Sequence, residues 1–167
     1  MNYNAASQAG ESAGAQLERP TKGLCRILVV DDDSDLRLLY ADALARSDYQ
    51  VDAVEDGAAA WKALHANNYN LLITEHNMPG LTGVELVMKL RSARMALPVI
   101  LATGKLPTEA LIQNPSLQLA ALLPKPFYIK QLLEMVRAVL QANGSIPGQL
   151  ELLPVWQGQS SAAGLRL

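Results

Sequence analysis

Cysteine is nearly missing from this chain: Cys25 is alone among 167 residues. A single thiol excludes an internal disulfide framework and a cysteine-based zinc site, and it fits a reducing compartment. Excess positive charge is missing as well, since 14 Lys and Arg face 16 Asp and Glu for a net charge of −2. Without a basic footprint the chain has no electrostatic hold on a phosphate backbone, so direct nucleic-acid binding is not expected. No apolar run approaches the ~20 residues of a membrane helix, and the first residues carry no apolar core of the signal-peptide kind. A cytoplasmic protein without membrane contact is the expectation. Charged residues are only 18% and hydrophobic ones 50%, which supplies one well-buried domain and excludes disorder throughout.

What is present falls into three parts. Residues 1–24 are rich in Ala, Ser, Gln and Gly and read as a flexible leader. Residues 25–143 carry the periodic patterns of a folded domain, and residues 144–167 read as a tail. That tail is Gly-, Gln- and Ser-rich around a Leu-Leu-Pro-Val-Trp patch at 152–156, too small for a core of its own. The patch reads equally as a docking motif, as a piece packed back on the domain, or as plain disordered tail. No second domain with a DNA-binding or catalytic output is expected.

The centre of the domain is Leu-Leu-Ile-Thr at 71–74, followed by Glu75, His76, Asn77 and Met-Pro-Gly. A short apolar run closed by Pro-Gly is a buried strand, and it delivers the Glu75 carboxylate to the loop beyond. A first strand, 26–30, ends in Asp31, Asp32 and Asp33. Ser34 is the expected cap of a helix whose inner face is Leu36, Leu39, Tyr40, Ala43 and Leu44. Residues 50–55 form a second strand, followed after Gly57 by an Ala-rich helix in which Trp61 is a packing residue. Thr82 caps a helix to about residue 94, residues 97–102 make a fourth strand ending at Thr103, and a short helix after Pro107 must stop at Asn114-Pro115. Residues 119–123 are the fifth strand, closed by Pro-Lys-Pro-Phe, and a last helix runs over about 129–141 until Asn143-Gly144.

Five alternations of strand and helix specify a parallel sheet covered on both faces. Right-handed crossovers then bring the strands' carboxyl ends to one edge. The residues there are Asp31, Asp32, Asp33, Glu75, Thr103 and Lys125. Acids from two strands meeting at one point repel unless a hard divalent cation such as Mg²⁺ sits between them. A lysine and a threonine opposite suit phosphoryl oxygens, so phosphoryl transfer to a carboxylate is the chemistry implied. Blander readings stay open: the acidic run as a charge cluster complementing a helix dipole, His76 as a surface residue rather than an acceptor, and Lys125 as an ion-pair partner of Glu75 or Asp32.

The acidic run after Ile-Leu-Val-Val, the Asn-Met-Pro-Gly with Thr82-Gly83, the Pro-Val-Ile-Leu-Ala-Thr and the Lys-Pro-Phe occur in the order that resembles the receiver domain of two-component response regulators, over residues 25–142. The resemblance implies an α/β, flavodoxin-like (βα)5 fold, a doubly wound parallel sheet with strand order 2-1-3-4-5. It implies that Asp31 and Asp32 hold Mg²⁺, that Asn77 lends a backbone carbonyl to the same ion, that Thr103 is the switch hydroxyl and that Lys125 binds phosphate across a cis bond to Pro126. It implies partner contact, by a sensor histidine kinase or another signalling protein, through the face of the fourth helix, fifth strand and fifth helix. Here that face includes Thr108, Glu109, Gln113, Lys130, Gln131 and Arg137, for which a weak contact is expected.

Two positions depart from the family's pattern. Glu75 stands where the family carries its phosphorylated aspartate, so it is both the acceptor-position residue and a weakened Mg²⁺ ligand. Leu122 stands where the family usually has a tyrosine or phenylalanine that rotates on activation. In-line attack needs reacting atoms at about 3–3.5 Å, and a 1 Å misplacement costs on the order of 100-fold. The expectation is therefore a receiver-like module that works without phosphorylation or is held active-like, and not an enzyme. The alternatives are a receiver phosphorylated by a histidine kinase, and an Asp-x-Asp phosphatase built on Asp31 to Asp33, which would need further acids near the site.

Overall fold

The apolar runs Arg26–Val30, Leu71–Thr74 and Val99–Thr103 become central strands because each is buried on both faces, with two partly exposed strands at the sheet's edges and amphipathic helices as cover. A computed structural model describes residues 25–146. In chain order the elements are β1 Arg26–Val30, α1 Ser34–Ala45, β2 Gln50–Val54, α2 Gly57–Ala66, β3 Leu71–Thr74, α3 Gly83–Ser92, β4 Val99–Thr103, α4 Thr108–Gln113, a 3-10 turn Pro115–Leu117, β5 Ala121–Pro124 and α5 Ile129–Ala142. The strand order is β2-β1-β3-β4-β5, the doubly wound flavodoxin-like arrangement expected. The leader and the segment beyond residue 146, with its Leu-Leu-Pro-Val-Trp patch, lie outside the described residues.

Alternation along the strands divides the core in two. Ile27, Val29, Ile73 and Ile100 pack with Tyr40 and Leu44 of α1 and with Leu132, Val136 and Leu140 of α5. Leu28, Val30, Leu72 and Leu101 face the other way, onto Ala60 and Leu64 of α2 and Leu86, Val87 and Leu90 of α3. Successive strand residues point to opposite faces, so β1 and β3 have no polar side to spare.

Helix ends follow local chemistry. Thr82 caps α3 and completes a capping box with Glu85, as Thr-x-x-Glu specifies. Asn114 ends α4 before Pro115, and Gly144, at φ 67°, follows α5. The start of α1 differs from expectation. Asp33, not Ser34, is the cap: its carboxylate accepts from the backbone N–H of Asp35 and Leu36 at 2.9 and 3.1 Å, and an acid there also complements the helix dipole. Leu39 differs too, remaining 49% exposed. The inward seam of α1 runs at four-residue intervals through Leu36, Tyr40 and Leu44, and Leu39 lies to its side.

Candidate functional site

The strand order fixes what meets at the carboxyl edge. With β1 between β2 and β3, Val30 pairs with Thr74, and the Glu75 N–H donates to the Val30 carbonyl at 2.9 Å. Asp31 and Glu75 therefore leave adjacent strands side by side. β4 contributes Thr103, paired with Pro124 of β5, and Lys125 follows with its N–H on the Thr103 carbonyl at 2.9 Å. The Lys125–Pro126 peptide is cis.

Lys125, Asp31 and Glu75 close on one another, while the Thr103 hydroxyl donates to the Lys105 carbonyl at 3.1 Å. Lys125 Nζ donates to Asp31 Oδ2 at 2.6 Å and lies 2.8 Å from Glu75 Oε2. Asp31, Glu75 and Thr103 are all buried. Glu75 Oε1, the other oxygen, accepts from the backbone N–H of His76 at 2.7 Å and of Asn77 at 3.1 Å. Asp31 Oδ1 accepts from the Asp33 N–H at 3.1 Å. The cation expected between the two acids is thus Lys125's own ammonium.

Charge and burial compete here. Burial pushes the Glu75 carboxyl up, but the hydrogen bonds from Lys125 and the Asn77 backbone, with the Thr103 hydroxyl nearby, outweigh it and hold the group below its ordinary value. For Asp31 burial wins over the Lys125 hydrogen bond and the carboxyl is raised. Burial works against the charged Lys125, yet its two carboxylate partners leave it above its ordinary value. Of the two acids, Glu75 is the one whose partners outweigh burial in favour of the charged form.

The remaining expected residues join this cluster through backbone alone or not at all. Asp32 and Asn77 are exposed, and no hydrogen bond or ion pair joins either side chain to the four. Among the described residues, no group of three or more His, Cys, Asp or Glu side chains is placed to hold a metal ion, although Mg²⁺ commonly takes only one or two carboxylates with waters. The oxygen donors are of the hard type that suits Mg²⁺, and the hold of Lys125 on Asp31 and Glu75 competes with the ion for them. Glu134, one of the later acids a phosphatase would draw on, faces Lys130 on α5 at 3.8 Å; Glu151 lies outside the described residues. His76 keeps its Nδ1 buried without a hydrogen-bond partner.

Three supporting residues escaped the sequence reading. Arg37 Nη1 donates to the Asp31 carbonyl at 2.6 Å and braces the turn after β1. Tyr40 stacks on Phe127 with ring centroids 5.3 Å apart, and its ring centroid lies 5.9 Å from Lys125 Nζ. Its place on the inner face of α1 gave the packing role but not the lysine. Gly83 opens α3 so close to the site loop that a Cβ would strike the Glu75 carbonyl. Only the Thr-Gly pair signalled it.

Residues 27–137 match the response regulator receiver domain model. The chain belongs to the response regulator receiver family. The transcriptional regulatory protein TctD of Salmonella typhimurium is 34% identical over 118 residues, covering 71% of this chain and 53% of its own length. The response regulator RppA of Synechocystis is 34% identical over 127 residues, covering 75% of this chain and 54% of its own. The chain thus spans about half the length of these curated relatives. Among solved structures, the Vibrio cholerae chemotaxis protein CheY4 superposes with a TM-score of 0.66 at 26% identity, covering 71% of this chain and 100% of that one. TrrA of Thermotoga maritima, solved in complex with Mg(2+)-BeF, gives 0.63 at 30% identity, covering 70% and 100%. This receiver domain is therefore a two-component signalling module, and among its described residues no helix is long and apolar enough to cross a membrane.

Proposed function

We propose that this receiver domain signals without being phosphorylated, because the Glu75 carboxylate itself fills the place of the phosphoryl group. In this reading Glu75 stands at the family's acceptor position, one methylene longer than aspartate. The observation that carries it is the double hold on that carboxylate: Lys125 on Oε2 at 2.8 Å, His76 and Asn77 N–H groups on Oε1 at 2.7 and 3.1 Å. A lysine and paired backbone amides are the donors that would receive phosphoryl oxygens. Thr103 is buried at the neighbouring strand end, its hydroxyl donating to the Lys105 carbonyl at 3.1 Å.

Chemistry at Glu75 is then blocked twice. Both oxygens are engaged, so neither is free for in-line attack, and Lys125 neutralises Asp31 and Glu75 where Mg²⁺ would bind. Asp31, Asp32 and the Asn77 carbonyl retain only a weak affinity for the ion. The domain passes its state on by protein contact, with a sensor histidine kinase or another cytoplasmic signalling protein on the face of α4, β5 and α5.

Intact-mass analysis of wild type and Glu75→Asp after incubation with Mg²⁺ and a small acyl phosphate tests this. The expected result is a phosphoryl adduct on the aspartate variant alone. An adduct on wild type as well would make the protein a working receiver with glutamate as acceptor.

A further inference from the structure

Lys125 has far to reach. With the strands in the order β2-β1-β3-β4-β5, it leaves the end of β5 and must pass the end of β4 to meet Glu75 after β3 and Asp31 after β1. Neighbouring strands stand about 4.8 Å apart, so the lysine stem has to extend across the strand end that carries Thr103. Such a stem has many rotamers, and keeping one of them costs entropy. The two carboxylates engage two of the three ammonium N–H groups, at 2.6 and 2.8 Å. They fix the tip and leave the rest of the side chain to its surroundings.

An aromatic pair stands there. Lys125 Nζ lies over the Tyr40 ring, 5.9 Å from its centroid, within the ~6 Å over which a ring face attracts an ammonium. Tyr40 has little freedom of its own. It is buried on the inward seam of α1 with Leu44, and its ring stacks on Phe127 at 5.3 Å with 26° between the planes. Phe127 is two residues beyond Lys125, so one side of the clamp is carried by the same turn as the lysine. Burial raises the Tyr40 phenol, with Lys125 opposing the rise and Asp31, Glu75 and Asp33 adding to it. The ring thus stands neutral in the field of the cluster. Packing alone would be served by any apolar side chain of similar size; what only a ring supplies is a negative face turned to a cation.

We propose that Tyr40, clamped by Phe127, is the positioning residue that holds the Lys125 ammonium on Asp31 and Glu75. The hold is independent of whether Glu75 stands in for a phosphoryl group.

Proton exchange between the Lys125 ammonium and water, followed on the full chain by nitrogen-15 NMR near neutral pH and assigned through the lysine's own side-chain carbons, tests this. Wild type should show a slowly exchanging ammonium. Tyr40→Leu should exchange several-fold faster, whereas Tyr40→Phe, which keeps the ring and loses the hydroxyl, should match wild type. Phe127→Leu leaves Tyr40 in place but unclamped and should fall between; if Tyr40→Leu does not fold, this variant carries the comparison. Leu44→Ala opens a cavity on the same helix seam one turn away, so it should lower the urea midpoint and leave the exchange unchanged. An ammonium already fast in wild type, no acceleration in the Leu variants, a Tyr40→Phe rate as fast as that of Tyr40→Leu, or an equal acceleration by Leu44→Ala would each overturn the proposal.

Discussion

At the scale of single residues, Lys125 decides the character of the site. A like-charged pair such as Asp31 and Glu75 at one buried corner requires a cation, and a lysine reaching both supplies it permanently. The pH dependence of stability follows from Glu75. Its folded-state carboxyl lies below the ordinary 4.5, so its stabilising contribution is present above that pH and is lost as the pH falls through the lower, folded-state value. Asp31 works in the opposite sense, being raised by burial, and Glu75→Gln also removes the Glu75 repulsion that helps to raise it, so the comparison reads the coupled pair. Urea titrations of the two from pH 7 to pH 3 should therefore show wild type ahead at neutral pH and the gap closing below pH 4.5. A gap that stays constant would mean that Glu75 gains nothing from ionisation. The sequence made these groups candidates by placing them at strand ends. It left open which partner Lys125 takes, because that depends on rotamers of two long side chains.

At the scale of elements, the loop from Glu75 to Thr82 is held by backbone geometry as much as by side chains. The Gly83 N–H donates to the His76 carbonyl at 3.0 Å, and α3 starts hard against the Glu75 carbonyl because residue 83 has no Cβ. Gly83→Ala should cost on the order of 1–3 kcal/mol through that overlap. The loss should show as a lowered urea midpoint with an unchanged slope, together with altered amide signals for His76 and Asn77. A neutral substitution would mean that the loop has room to yield. Element types were legible throughout, since apolar period and Gly or Pro punctuation agree at β3, α4 and α5. Boundaries were less so: the expected fifth strand began at residue 119, whereas β5 starts at Ala121 after the 3-10 turn. Arg91 fastens that region by donating to the carbonyls of Met95, Leu97, Leu117 and Gln118, contacts from a distant helix that no local pattern announces. Asp33 as the cap of α1 was hidden among consecutive residues that all cap well.

At the scale of the whole molecule, one doubly wound sheet gathers Asp31, Glu75, Thr103 and Lys125 from four strand ends, and the strand order alone makes them neighbours. That much followed from the alternation of strands and helices and from the motifs that resemble receiver domains. A groove of about 1250 Å³ between α5 and β5 did not, because it lies along the outer edge of the assembled sheet, where β4 is the one neighbour of β5 among the described residues. The central claim is that the anion place is already filled by Glu75. The most direct test is an amide NMR titration of wild type and Glu75→Asp with Mg²⁺ and beryllium fluoride, a tetrahedral stand-in for a phosphoryl group. The account predicts that the His76, Asn77 and Thr103 signals of wild type stay where they are while those of the aspartate variant move and saturate; a saturable shift of the same signals in wild type would contradict it.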